Sequence, residues 1–94
     1  MVDLLHEIWE DQEGGGIGRE MCVVSAKTDE QRRTITPESR LVHSFYAPSY
    51  NNAMQRFYDW CGHGTYKPMD GPDDIYSESD LAEQQSYLRI RNAS

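Results

Sequence analysis

Residues 40–62 read RLVHSFYAPSYNNAMQRFYDWCG, and this stretch decides the fold. Over 40–47, Leu41, His43, Phe45 and Ala47 alternate with Val42, Ser44 and Tyr46, a period of two that predicts a strand. Pro48 cannot donate to a ladder and ends the pairing. Ser49 is then a helix cap. Ala53, Met54, Phe57, Tyr58, Trp60 and Cys61 repeat at the spacing of one helical face, which predicts a helix over 50–61 lying on a sheet. Gly62 is the glycine expected just past a helix C-terminus.

Working outward, residues 3–10 read as a first strand, with Leu4, His6 and Ile8 on one side and Leu5, Glu7 and Trp9 on the other, although a short helix shares the i, i+4 spacing of Leu4/Ile8 and Leu5/Trp9. The glycine run at 14–18 reads as a turn or a mobile loop. Residues 20–26 are β-rich and read as a second strand. Lys27 to Arg33 read as a polar connection, and Thr36-Pro37-Glu38 as a short helical turn opened by a threonine cap. Thr65-Tyr66-Lys67 is a candidate fourth strand before Pro68. Residues 80–91 read as a weak last helix, with a strand over 86–91 as the alternative. These elements predict an α+β fold: a three-stranded antiparallel meander, four-stranded if 65–67 joins, with one main helix on a face and a weaker C-terminal helix. The predicted organisation is a core over 1–69, followed by an acidic connector and helical segment over 70–94 that packs back on it.

The strands are apolar on both sides. Leu4 and Ile8 oppose Leu5 and Trp9, and Leu41 and Phe45 oppose Val42 and Tyr46. An antiparallel sheet with one wet face alternates apolar with polar. One helix covers one side, so the other calls for the tail, through Leu81, Tyr87, Leu88 and Ile90, or for a second copy of the chain.

Sixteen Asp and Glu against nine Lys and Arg give the 94 residues a net charge of −7. The acids cluster at 3–13 and 70–83, with no base in either stretch. A chain of this sign is repelled by phosphate and anionic lipid, which argues against nucleic-acid and membrane partners and for a basic protein partner. No apolar run is long enough for a membrane span, no leader pattern follows Met1, and two cysteines make no disulfide framework. The expectation is a cytoplasmic protein.

The runs Leu5-His6-Glu7-Ile8-Trp9-Glu10-Asp11 and Arg40 to Ala47, leading into Ser49 and Asn52-Ala53-Met54, resemble a group of short uncharacterised bacterial proteins. That resemblance implies a single bacterial cytosolic domain and transfers no activity. Trp60-Cys61-Gly62-His63 is similar to the redox box of protein disulfide isomerases and the wider thioredoxin family. Gly64 stands where that box has its second cysteine, and the thioredoxin cysteine opens a helix whereas Cys61 falls at the end of one.

A metal would draw on Cys61 and His63, with Cys22 or His43 completing the set, but the paired spacing of structural zinc sites is absent. Carboxylate catalysis needs two acids in a concave site that pushes their pKa values apart, and the acids here lie in polar runs. There is no nucleophile elbow and no phosphate loop. In Asp73-Asp74-Ile75-Tyr76, the two acids and the ring are the candidates for contact with a basic partner. The reading that emerges is a non-enzymatic protein-interaction module without a cofactor, monomeric or homodimeric. The alternative is a thiol or metal site on Cys61 and His63.

Overall fold

The computed structural model describes residues 2–11 and 18–93. Strand β1 (Leu4–Asp11) is followed by β2 (Gly18–Val23), helix α1 (Ala26–Ile35), β3 (Arg40–Ala47), α2 (Tyr50–Cys61) and α3 (Glu78–Ala93). The glycine run falls almost wholly outside the described residues.

The sheet order is β2-β1-β3, with both pairings antiparallel. The first strand is therefore central, and the chain is not a simple meander. Because β2 and β3 both oppose β1, they run parallel to each other, and parallel strands need a crossover. That crossover is α1, where the sequence suggested a polar connection. Its start is locally encoded: the Ser25 side chain accepts from Thr28 N–H at 3.1 Å and Ser25 N–H donates to the Thr28 hydroxyl at 3.1 Å. Asp29 lies in the first turn and Arg32 and Arg33 in the last, matching the helix dipole. The predicted second strand consequently stops at Val23, since Ser25 caps and Ala26 begins a helix. Thr36 closes α1 rather than opening a new turn, its N–H reaching Arg32 O at 2.7 Å. No strand forms over 65–67.

Helix α2 matches its predicted bounds. Ser49 accepts from Asn52 N–H at 3.1 Å, and Gly62 ends the helix at φ 76°, a conformation that a side chain disfavours. It covers the side of the sheet to which Leu4, His6 and Ile8 point. There an aromatic row runs His6–Phe45–His43–Trp60, with centroid spacings of 5.4, 6.1 and 5.5 Å.

The second side is covered by α1 and by α3, a helix of 16 residues rather than a weak one. Its buried stripe is largely polar. Gln84 is buried and clamps the backbone of β1: Leu5 N–H donates to its Oε1 at 2.8 Å, and its Nε2 donates to Leu5 O and Val24 O at 3.0 Å each. Arg91 grips Glu7 with two bonds of 2.8 and 3.0 Å and Asp29 with two contacts of 3.1 and 3.4 Å. Arg32 bonds Asp29 at 3.1 Å and lies 3.6 Å over the Trp9 ring. Tyr87 O–H donates to Asp29 as well. Thus Glu7 and Asp29, both buried, tie β1, α1 and α3 together through two arginines. Ile90, expected as cover, stays 71% exposed.

A register shift between Ile8 and Trp9 changes the faces of β3. Leu41 pairs with Trp9 while Phe45 pairs with His6, so these two side chains do not share the face that simple alternation gave them.

Candidate functional site: an acidic groove

Four pieces of chain converge at one end of β1. Val24 N–H bonds Leu5 O at 3.0 Å, and the next residue caps α1 and turns the chain away. Residues 73–76 run beside the start of α2: Tyr50 N–H reaches Asp74 O at 3.1 Å, and Tyr76 N–H reaches Pro48 O at 3.1 Å. Ser77 and Asp80 then cap α3 reciprocally, at 2.8 and 3.1 Å. Gln84 pins α3 to Leu5, one helical turn further on.

Between the N-terminal ends of α1 and α3 these constraints leave a groove of about 450 Å³, within the usual range for small-molecule and side-chain sites. Leu4 and Val24 form its floor, and Tyr76 and Tyr87 its walls. Asp74, Asp80 and Glu83 stand on the rim, with Lys27 the one base among the lining residues. Asp80 spends one oxygen on the α3 cap. No salt bridge engages Asp74, Glu83 or Lys27 among the described residues. The rim therefore holds an excess of negative charge over an apolar floor.

Beneath the groove lies a buried pair. His6 Nδ1 is 2.9 Å from Leu4 O, which can only accept, so Nδ1 carries the proton. Nε2 then accepts from the Tyr76 hydroxyl at 2.7 Å. Burial pulls the His6 pKa below its ordinary value, opposed by the Leu4 bond, and favours the neutral ring that this geometry requires. Burial also pushes the Tyr76 phenol up, helped by nearby Asp74, so it stays a donor. The pair is spent on anchoring residues 73–76 to β1 and is closed to a reacting group.

The sequence candidates separate. Asp74 and Tyr76 reach the groove. Asp73 instead supports the start of α2, accepting from Asn51 N–H at 2.9 Å, and a bond with Ser49 holds its carboxyl below the usual range. Cys22 pairs with Glu7 and lies under α1, beside Thr28 and Arg32, on the opposite side of the sheet from Cys61 at the end of α2. His43 is stacked between Phe45 and Trp60, and the His63 ring stands edge-on to Tyr58 at 5.5 Å. Among the described residues no group of three or more His, Cys, Asp or Glu side chains is placed to hold a metal. Cys61 adjoins Arg19, whose guanidinium also bonds Glu10 at 3.1 Å and lies 5.2 Å from the Trp60 centroid.

Sequence reasoning missed Asp80, Glu83 and Tyr87 as a set. At i, i+3 and i+7 they share one side of α3, a pattern visible only once that segment is read as a firm helix.

No helix among the described residues is long and apolar enough to cross a membrane. No family model, curated protein or solved structure matches the chain, so the groove's own chemistry has to carry the functional reading.

Proposed function

We propose that the protein is a non-enzymatic interaction module that docks a basic segment of another protein in the groove between α1 and α3. The observation that carries this reading is the pair of carboxylates on its rim, Asp74 and Glu83, without ion-pair partners among the described residues and above an apolar floor. A lysine or arginine side chain fits both requirements: its aliphatic stem lies on Leu4 and Val24 while its head meets the carboxylates. Chemistry is disfavoured by the same geometry. The histidine nearest the groove is buried and fully bonded, and no serine or cysteine side chain hydrogen-bonds a histidine among the described residues.

The test is fluorescence anisotropy with a labelled lysine- and arginine-rich peptide at physiological salt. Asp74→Asn with Glu83→Gln should weaken binding by about tenfold, as the loss of two specific rim charges warrants. A control with the same loss of charge on and just beyond α1, Glu30→Gln with Glu38→Gln, should change it little. Equal weakening by both pairs would reduce the effect to bulk charge and remove the groove from the reading.

A further inference from the structure

β3 is an outer strand, and the apolar surface left in water gathers along it. Eight large apolar side chains are exposed among the described residues. Leu41 and Tyr46 lie on β3, and Tyr50 and Ile75 lie at its continuation, where Ser49 bridges Ile75. Half of the exposed set thus follows one edge, which marks a contact surface rather than scatter. Natural sheets guard a free edge with charge, proline, shortness or cover. The other outer strand, β2, has six residues and carries Arg19 and Glu20. β3 has eight residues, and its one charged side chain, Arg40, stands at the very start.

We infer that the β3 edge pairs with the same edge of a second copy of this chain, antiparallel about a twofold axis, to give a continuous six-stranded sheet. Along this strand charge does not oppose a second copy. The molecule carries −7, and β1 and β2 both contain acids, but β3 contains none. It is the one strand along which two copies meet without setting carboxylate against carboxylate. The register is self-complementary. With the axis at Ser44, His43 falls opposite Phe45 of the second copy. These residues share a face, since their partners on β1 are Ile8 and His6. On the other face Leu41 and Tyr46, paired to Trp9 and Leu5, are drawn towards each other across the axis. A seam one strand wide is smaller than a standard interface, so the dimer is reversible and depends on concentration. This inference is independent of the groove, which lies between α1 and α3.

Sedimentation equilibrium of the full chain from about 5 to 500 µM, the range in which a small interface associates, should show the mean mass rising from monomer towards dimer. Leu41→Lys with Tyr46→Lys, both at exposed positions, should hold it at the monomer mass with its circular dichroism unchanged. Ser44→Cys should form a linked dimer under mild oxidation, because directly opposed strand residues sit within disulfide range. Gln31→Cys, exposed on α1, should not exceed wild type, whose Cys22 and Cys61 provide the common background. A wild type that remains monomeric at the top concentration overturns the proposal. So does cross-linking through residue 31 as efficient as through 44, a readout that stands even if the double lysine variant fails to fold.

Discussion

Replacing Arg91 with methionine should be among the most damaging single changes in this protein. Arg91 holds two buried carboxylates, Glu7 by two bonds and Asp29 by two contacts of 3.1 and 3.4 Å, and among the described residues it is the α3 side chain that reaches Glu7. Methionine keeps much of the stem and loses the guanidinium. Among the described residues Glu7 is then left with the Trp9 indole N–H at 3.2 Å as its one side-chain donor, whereas Asp29 retains Arg32 and Tyr87. Removing one partner of a buried pair costs about 3–5 kcal/mol, because the remaining charge is stranded. The Arg91 side chain is 20% exposed, so water can reach part of the cluster and the lower end, about 3 kcal/mol, applies. For a domain of this size that lowers Tm by about 12–24 °C. Urea unfolding followed by circular dichroism measures it, with the m-value checked for constancy. Adding Glu7→Gln to Arg91→Met should recover about 1–2 kcal/mol, since it removes the stranded charge. A loss below about 1 kcal/mol for Arg91→Met, or no recovery in the double variant, would show that the cluster behaves as an ordinary wet surface pair.

Two further outcomes follow from buried groups. Burial lowers the folded-state pKa of His6, so the unfolded chain takes its proton more readily; this contribution to stability is complete above the unfolded value of about 6.5 and is lost as pH falls below it towards the folded value. Between pH 7 and 5, wild type should therefore lose more stability than His6→Phe, and identical slopes in denaturant titrations would refute the assignment. Burial, reinforced by Glu7 and Glu20, pushes the Cys22 thiol up to about 11. Alkylation of Cys22 by iodoacetamide near pH 7.5, followed by mass spectrometry, should run roughly a hundredfold slower than that of a model thiol, and a matching rate would show that the site opens to solvent.

Of the groove, the sequence carried Asp74 and Tyr76, because an aromatic ring among acids is conspicuous along the chain. It could not separate them from Asp73, since all three share one composition and differ only in which backbone they meet. Asp73 meets the first turn of α2, Asp74 the open rim, and Tyr76 the ring of a histidine 70 residues away. Glu83 gave no signal of its own, because an exposed acid on a helix is unremarkable until another element faces it.

What the sequence determined by itself is local. Alternation set β3, the serine cap and apolar stripe set α2 to the residue, and Gly62 ended it, because each of these depends on neighbours within one or two turns of chain. Only the tertiary structure decided that β1 lies in the middle, that α1 bridges β2 to β3, and that α3 is a full helix. The physical reason is the same in each case. Helices α1 and α3 bury Asp29 and Gln84 and half-bury Arg91 instead of an apolar stripe, so the period that reveals an amphipathic helix is missing from both. Those polar side chains are stable inside only because each finds its partners on another element: Gln84 on the backbone of β1, Arg91 on Glu7 and Asp29. A charge read alone in a sequence looks like surface, and it becomes interior only when the fold brings the opposite charge to it.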